Sequence, residues 1–248
     1  MTSTRLPGKI MKEVMGKPLL EYQVERMKRV KSADEIVIAT TWGDADRVIV
    51  DYCDRLPIRC FRGSEQDVLS RYYEAAKASL ADVVVRLTSD CPLIDPSIVE
   101  RVLEYYFDHS VEYDYVSNCL IRTYPRGMDT EVFPMRVLEE GFREAADPQD
   151  REHVTAFFYR HDRRYRVSNV AYSRDCSRHR WTVDTEEDFL LIKQILEILY
   201  PKKPDFSMED VLDLIERDPR LFSINAHVEQ KELNYISEDD LRGPRSHG

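Results

Sequence analysis

Two aspartates, Asp90 and Asp184, each follow a short apolar run that has the character of a buried strand. The runs are residues 83–88 and 180–183, and helix-forming sequence follows each of them. If both strands end at one crevice, two carboxylates there could hold a hard cation such as Mg²⁺ together with the phosphates of a nucleotide. The pair therefore predicts a magnesium site. Taken singly, Asp90 is also explained as a turn or cap residue, and Asp184, ahead of two glutamates, as part of a helix cap.

The first nine residues place hydroxyl and cationic side chains in a turn that contains Pro7 and Gly8. These side chains belong to Ser3, Thr4, Arg5 and Lys9. They offer hydrogen-bond donors and positive charge to a polyphosphate, as turns at the carboxyl ends of α/β strands do, although no strand precedes this turn in the sequence. The alternative is a frayed basic N-terminus.

The elements that would position these residues alternate along the chain. The predicted strands are residues 35–40, 58–61, 82–88, 114–117, 130–133, 165–172 and 180–183. The predicted helices are residues 19–30, 44–56, 66–79, 96–109, 134–146, 186–199 and 208–217. This order predicts an α/β fold with a three-layer, mostly parallel sheet, whose ligand site lies at the carboxyl ends of the strands.

Composition sets further limits. A chain of 248 residues with 42% hydrophobic content can bury one substantial core, and we expect a domain at 1–224 followed by a polar tail at 225–248. The net charge of -10 argues against broad nucleic-acid binding, so an anionic ligand needs a local basic pocket or a metal. The apolar runs are too short to span a bilayer and no leader precedes them, which favours the cytoplasm. Five scattered cysteines predict reduced thiols rather than a zinc site.

Several short motifs occur over about the first 200 residues. They are Ser3–Lys9, Gly16–Leu19, Ala39–Thr41, Arg62–Ser64 with Asp67–Leu69, Asp90–Ile94, Tyr124–Asp129, Glu131–Phe133, Arg151–Thr155 and Val183–Thr185. In this order they resemble the cytidylyltransferase family, which includes the CMP-Kdo and acylneuraminate synthetases. The branch that they resemble most is that of spore coat polysaccharide biosynthesis protein F.

The resemblance implies a nucleotide-diphospho-sugar transferase (GT-A-like) fold and a homodimeric enzyme. It implies that CTP and a sugar give a CMP-sugar and pyrophosphate for surface polysaccharide biosynthesis, with Mg²⁺ on Asp90 and Asp184. Arg5 and Lys9 are then catalytic residues that grip the triphosphate. The implied nucleotide-binding set is Ser3, Thr4, Arg5, Lys9, Ala39, Thr40, Thr41 and Arg62.

The resemblance also implies a hydrophobic strand, ending in an alanine-arginine pair, just ahead of the position of Met1. We therefore expect that the first strand is missing from the middle of the sheet. Unpaired backbone groups on its two neighbours would each cost on the order of 1 to 3 kcal/mol when buried. Extending the chain upstream should then raise its stability and activity.

The resemblance implies that six residues of this chain form the acceptor side of the site. They are Arg126, Asp129, Glu131, Arg151, Glu152 and His153. An arginine there suits the carboxylate of an acidic sugar. Surface ion pairing is the alternative for the arginines and Glu152, and a packed, hydrogen-bonded imidazole is the alternative for His153.

Two other functions stay open at this point. A glycosyltransferase of the same fold would use a metal-binding D-x-D motif, and Asp44 and Asp46 have that spacing. They lie at a predicted helix start, where capping explains them as well. The other function is that of a catalytically impaired protein that binds sugar nucleotides.

Overall fold

The computed structural model describes residues 5–160 and 164–229, and within them strands and helices alternate as expected for an α/β fold. The strands are β1 (Glu13–Val14), β2 (Lys17–Pro18), β3 (Val37–Thr41), β4 (Arg59–Gly63), β5 (Val83–Arg86), β6 (Tyr115–Ser117), β7 (Glu131–Pro134) and β8 (Val167–Asn169). The helices are α1 (Leu19–Met27), α2 (Arg47–Arg55), α3 (Val68–Ala78), α4 (Pro96–Asp108), α5 (Met135–Glu144), α6 (Pro148–His153), α7 (Ala156–Arg160), α8 (Glu186–Leu199), α9 (Met208–Arg217) and α10 (Arg220–Ser223).

The strands form two separate sheets and a small hairpin. β3 pairs in parallel with β4, and the second sheet has the order β5-β7-β6-β8. The predicted α/β class with parallel strands is confirmed, but β7 runs antiparallel to both β5 and β6. It does so because the chain returns from β6 to β7 through a loop and not through a crossover helix. β8 restores the parallel direction beside β6.

The helices begin where the sequence supplies caps. Asp95 accepts a hydrogen bond from the backbone of Ser97 at the start of α4, and Pro96 occupies its first turn. Thr185 and Asp188 form a reciprocal capping box at the start of α8. The apolar face of α8 packs into the largest core cluster, together with Trp181 and Val183. The segment that ends in Asp184 is therefore fixed on both sides.

An apolar slot separates β3 from β5. Among the described residues β3 pairs only with β4, and β5 pairs only with β7. Two cavities of ≈ 160 and ≈ 510 Å³ are each lined by residues of both strands; α1 backs the first, and α3 and α4 back the second. β5 is a run of three valines and an arginine, typical of a strand buried on both faces, yet all four residues are only partly buried. A further strand between β3 and β5 remains a prediction.

Two local predictions differ from the structure. The strand predicted at residues 180–183 is absent, and this segment makes only one isolated bridge, between Arg180 and Arg126. β5 ends at Arg86, so Asp90 lies in the loop after the strand and not at its last residue. A local pattern cannot show that a run of apolar residues packs as an extended loop.

The remaining global predictions have mixed outcomes. All five cysteines are free thiols. No helix in the described part of the chain is both long and apolar enough to cross a bilayer. The division at residue 224 stays a prediction, but Asn225 is buried and hydrogen-bonded to Arg180 and Asp188, so the packed structure continues past it. Residues 230–248 of the predicted tail lie outside the described ranges.

Candidate active site

The two predicted aspartates converge. Asp90 lies in the loop after β5, and Asp184 immediately precedes α8. The backbone N–H of Val183 donates to the carbonyl of Asp90 at 2.9 Å and ties the two loops together. Between the side chains lies the ammonium of Lys9, whose Nζ donates to Asp90 Oδ2 at 2.6 Å and to Asp184 Oδ1 at 2.6 Å. Residues that are 94 positions apart, at 90 and 184, thus share one cationic partner.

The position of the Lys9 nitrogen lies 2.6 Å from an oxygen of each carboxylate. An Mg²⁺ ion there would reach its usual oxygen distance of about 2.1 Å once both carboxylates moved inward by about 0.5 Å. Among the described residues no group of three or more His, Cys, Asp or Glu side chains could hold a metal. A site with two carboxylates suits Mg²⁺, which typically binds through one or two protein carboxylates plus substrate phosphates. It does not suit a cation that needs a complete protein cage.

Two arginines bind the other oxygen of Asp184. Arg180 Nη2 donates to Asp184 Oδ2 at 2.7 Å, and Arg5 Nη2 lies 3.0 Å from the same atom. Burial would raise the pKa of Asp184, but hydrogen bonds and charge from Lys9 and Arg180 outweigh it and hold the pKa below its ordinary value. Burial would likewise lower the pKa of Lys9, and its two carboxylate partners raise it instead. At neutral pH the carboxylate and the ammonium are therefore both charged.

A polar crevice of ≈ 230 Å³ opens beside the two aspartates. Its lining residues are Arg86, Thr88, Asp90, Cys91, Cys119, Arg126, Gly127, Asp129, Glu131, His153, Thr155, Tyr159, Thr182 and Asp184. Four of the six predicted acceptor residues are among them: Arg126, Asp129, Glu131 and His153. The crevice therefore joins the predicted cation position to most of the predicted acceptor side.

Hydrogen bonds and ion pairs hold the carboxylates of Glu131 and Asp129 in the wall of the crevice. Glu131 is buried and pairs with Arg86, and its Oε1 accepts hydrogen bonds from the hydroxyls of Tyr115 at 2.6 Å and Thr155 at 2.5 Å. The guanidinium of Arg122 binds both carboxylate oxygens of Asp129, at 2.5 and 2.8 Å. Such bidentate and multiply bonded carboxylates hold fixed positions. The wall of the crevice is thus pre-shaped before any ligand enters.

The other two acceptor candidates lie outside the crevice lining. Arg151 donates from Nε to Asp67 Oδ2 at 2.8 Å and from Nη1 to the carbonyls of Phe142 and Ala145, so it joins α6 to the N-cap of α3 and to the end of α5. Glu152 is exposed. Their acceptor roles remain predictions, and the observed contacts of Arg151 match the ion-pairing alternative.

The predicted nucleotide-binding segments lie at the carboxyl ends of β3 and β4. The hydroxyls of Thr40 and Thr41 both donate to Asp46 Oδ2 at 2.7 Å. Arg62 donates to the carbonyls of Thr41 at 3.0 Å and Trp42 at 2.8 Å and stacks on the Trp42 ring at 5.0 Å. Ala39 lies on β3 itself, and Ser3 and Thr4 fall outside the described residues.

Asp46 does not cap the helix that follows it. Its side chain makes no cap hydrogen bond to α2 and instead accepts from Thr40 and Thr41, so the capping interpretation was wrong for this residue. Asp46 is also buried. A metal-binding D-x-D motif needs accessible carboxylates, so this part of the glycosyltransferase alternative loses its support.

Cys91 and His153 are poor candidates for covalent or proton-transfer chemistry. Burial and the adjacent charge of Asp90 raise the pKa of the Cys91 thiol well above its ordinary value, which disfavours the thiolate. Burial, followed by nearby arginine charges, lowers the pKa of His153. A neutral imidazole at the crevice wall can donate or accept a hydrogen bond.

Sequence reasoning missed the residues that support the acids. Arg180, Asp188 and Asn225 surround Asp184 from behind, and Arg86 holds Glu131. Arg180 stands four residues before Asp184, so the (i, i+4) spacing of opposite charges was the available signal. For Asn225, no local signal connects it to a site 41 residues earlier, at 184.

Comparisons with known proteins agree with this geometry. A family model described as cytidylyltransferase matches residues 1–239. The spore coat polysaccharide biosynthesis protein SpsF of Bacillus subtilis (strain 168) is 33% identical over 229 residues, which cover 88% of this chain and 92% of that protein. A solved cytidylyltransferase structure from Leptospira borgpetersenii has a TM-score of 0.86 and 31% identity, over 94% of this chain and 95% of that one.

A more distant structure shares the fold alone. It is described as a CMP:2-keto-3-deoxy-manno-octonic acid synthetase complexed with CTP. It has a TM-score of 0.59 at 16% identity and covers 79% of this chain and 94% of its own. Together these likenesses confirm the nucleotidyltransferase fold that the motifs implied.

Proposed function

The chain belongs to the cytidylyltransferase family, a CTP-dependent nucleotidyltransferase group, and from that premise we propose that it activates an acidic sugar with CTP. The products are a CMP-sugar and pyrophosphate. SpsF is named for spore coat polysaccharide biosynthesis, so we place the product in the synthesis of a surface polysaccharide. We expect a homodimer, which light scattering of the purified protein would test.

One observation carries the proposal. Asp90 and Asp184 come from loops far apart in sequence and bracket one position, now held by the Lys9 ammonium at 2.6 Å from each. An amine that bridges two carboxylates can leave them when a divalent cation enters and can then face an anion. Lys9 and Arg5 would therefore pass to the triphosphate of CTP while the two aspartates hold Mg²⁺.

The reaction itself needs positioning more than covalent chemistry. A sugar hydroxyl oxygen forms a bond to the α-phosphorus, the bond from that phosphorus to the bridging oxygen of pyrophosphate breaks, and the hydroxyl proton passes to solvent or to pyrophosphate. When bound, Mg²⁺ supplies charge neutralisation at the phosphates. Ser3, Thr4, Arg5 and Lys9 hold the triphosphate in this proposal. We assign no general base.

The remaining roles follow the position of each segment. Ala39, Thr40, Thr41 and Arg62 stand beside the nucleoside at the ends of β3 and β4. On the acceptor side, the crevice admits a small polar molecule, and Arg126 on its wall would donate to a sugar carboxylate. Asp129, Glu131 and His153 would bind its hydroxyls. The volume of ≈ 230 Å³ fits one sugar better than an oligosaccharide.

Pyrophosphate release tests the activity directly. The purified protein is mixed with CTP, Mg²⁺ and a panel of acidic sugars, neutral sugars and hydroxyalkyl phosphonates, and pyrophosphate is measured by a coupled assay; a parallel reaction replaces CTP with a preformed nucleotide sugar. Release with an acidic sugar supports the proposal. Release with neutral acceptors alone would overturn the acidic-sugar assignment, and consumption of a preformed nucleotide sugar without pyrophosphate would indicate a glycosyltransferase.

Two substitutions test the cation site. Asp90→Asn and Asp184→Asn keep the side-chain volume but remove the charge, so each should lower turnover at least a hundredfold at saturating CTP. Circular dichroism should show the wild-type fold. Asp51→Asn is the matched control, because Asp51 is exposed and its side chain pairs with Arg47 on α2. Full activity in both site variants would remove the metal assignment.

A further inference from the structure

The two oxygens of the Asp184 carboxylate have different partners. Oδ1 accepts from Lys9 at 2.6 Å. Oδ2 accepts from Arg180 at 2.7 Å, with Arg5 3.0 Å from it. A free carboxylate can rotate and bind a cation through either oxygen or both. The contact from Arg180 removes that freedom, because it fixes Oδ2.

Arg180 is itself held from behind. Its side chain is only 7% exposed, and Nε and Nη2 bind the two oxygens of Asp188 at 2.9 and 3.1 Å. Asp188 is fully buried and also accepts from the backbone N–H groups of Asp184 and Thr185. Asn225 closes the group, because its Nδ2 donates to Asp188 Oδ1 at 2.8 Å and to the carbonyl of Arg180 at 2.9 Å.

This arrangement goes beyond what a structural ion pair needs. Arg180 and Asp188 balance each other in charge, and the capping box already secures the start of α8. The third contact extends the guanidinium to a carboxylate that is partly exposed in the crevice. Residues behind a metal ligand commonly orient it in this way, and their loss typically costs 10- to 100-fold in metal affinity or activity.

We propose that Arg180 is a positioning residue that orients Asp184, holding Oδ2 so that Oδ1 alone is presented to the cation. Asp188 fixes the guanidinium in turn, through both of its carboxylate oxygens. The inference rests on the proposed function, since it requires Asp184 to be a cation ligand. A lysine at position 180 keeps the charge but cannot bind Asp184 and Asp188 together with the planar fork of a guanidinium.

The test measures cation binding rather than turnover. Mn²⁺ serves as the probe, and its binding to the full chain with CTP present and no acceptor is followed by electron paramagnetic resonance. Arg180→Lys should weaken Mn²⁺ binding at least tenfold while its circular dichroism spectrum matches that of the wild type. If Arg180→Lys does not fold, Arg180→Gln, which retains a hydrogen-bond donor, should show the same loss.

Asn225→Ala separates positioning from stability. Asn225 contacts Asp188 and Arg180 but makes no hydrogen bond to Asp184, so this variant should lower the Tm yet change Mn²⁺ affinity less than threefold. Two results would overturn this inference and leave the proposed function standing. One is a wild-type Mn²⁺ affinity in Arg180→Lys, and the other is a loss of Mn²⁺ affinity in Asn225→Ala as large as that in Arg180→Lys. If the wild type binds no Mn²⁺ with CTP, the cation site of the proposed function fails, and this inference fails with it.

Discussion

Lys9 contacts both carboxylates of the candidate site, and its position has a measurable consequence. Its ammonium would have to be displaced before a cation could bind between Asp90 and Asp184. In Lys9→Met the two carboxylates lose this competitor, so Mn²⁺ binding without nucleotide should become at least fivefold tighter. CTP binding should weaken at least tenfold, because a positive charge is lost from the triphosphate side. Paramagnetic resonance and calorimetry measure the two affinities.

Lys12→Met provides the control for Lys9. Lys12 lies on the same N-terminal segment but pairs with the exposed Glu186, away from the two aspartates. It should change neither affinity by more than twofold. Unchanged Mn²⁺ affinity in Lys9→Met would contradict the idea that the ammonium and the cation occupy one position.

His179 predicts a pH dependence of stability. Its imidazole is buried between Trp181 and Phe222, and Nδ1 has no hydrogen-bond partner in the described part of the chain. Burial, with the charges of Arg178 and Arg174, lowers its pKa to about 4. The unfolded chain binds the proton at about pH 6.5, so the folded state loses up to ~3 kcal/mol of stability as the pH falls from about 6.5 through 4.

Urea unfolding of the wild type and of His179→Leu measures this effect. The wild type should lose ~3 kcal/mol more than the variant between pH 7 and pH 4, because the leucine cannot take up a proton. Carboxylates titrate in both proteins and cancel in the difference. Parallel pH profiles would show that His179 is not the group responsible.

At the scale of single residues, the sequence predicted the two aspartates of the site but not the arginines that hold the carboxylates in place. Asp90 and Asp184 could be identified because each follows an apolar run and because the two arrangements match. Arg86 could not be assigned, and the (i, i+4) spacing from Asp184 was the one signal for Arg180, because an arginine beside an apolar run has the same local pattern whether it lies on the surface or under a ligand. Only the packing shows that Arg180 is 7% exposed and bonded to two carboxylates.

At the scale of secondary-structure elements, the turn at Gly127 packs against residues 180–183 and fixes the position of this segment, which precedes Asp184. Gly127 has a φ of 102°, and a Cβ there would come within 2.8 Å of the carbonyl carbon and oxygen of Trp181. The turn also hydrogen-bonds to that segment, with the N–H of Trp181 donating to the carbonyl of Arg126 at 2.8 Å. The close approach of two backbones therefore needs a residue without a side chain.

Gly127→Ala should destabilise the protein by about 3 kcal/mol, through strain at positive φ and through the clash with Trp181. Gly16→Ala is the control that has the backbone strain without the clash. Gly16 has a φ of 75° but no atom within 4 Å of the point that an alanine methyl would occupy. This substitution should cost only about 1 kcal/mol. Chemical unfolding of both variants gives the difference, and equal losses would mean that the contact with Trp181 adds nothing.

Element predictions succeeded where the local pattern decides the structure. Residues 186–199 and 208–217 were predicted as helices, and α8 and α9 have these bounds. They succeeded because each begins with a capping box followed by apolar residues at helical spacing. The prediction of a strand at residues 180–183 was wrong. A strand needs a neighbouring strand to pair with, whereas this segment bridges to a tight turn.

For the whole molecule, the slot between β3 and β5 predicts that an added strand would be stabilising. Arg5 lies 3.0 Å from Asp184, which is tied to the loop that follows β5, and an extended chain spans about 3.3 Å per residue, so we expect a segment joined ahead of residue 1 to reach the slot. An apolar strand-forming segment of about five residues would pair two rows of backbone groups. It should raise the Tm by at least about 5 °C.

A glycine-serine segment of equal length is the control for this addition. It can reach the slot but offers no side chains to fill the cavities of ≈ 160 and ≈ 510 Å³. Its Tm should stay within about 1 °C of the parent chain, and hydrogen exchange should slow at β3 and β5 only with the apolar segment. Equal Tm values for both fusions would contradict the prediction.

The same slot has a mechanical consequence. The β3–β4 pair carries Thr40, Thr41 and Arg62, while the four-stranded sheet leads to the loop with Asp90, and no ladder of backbone hydrogen bonds joins the two in the described residues. Helices α1 and α3 pack against residues of both sheets. A ligand that contacted both the β3–β4 pair and the two aspartates would link these halves, so their relative position would contribute to how tightly that ligand is held.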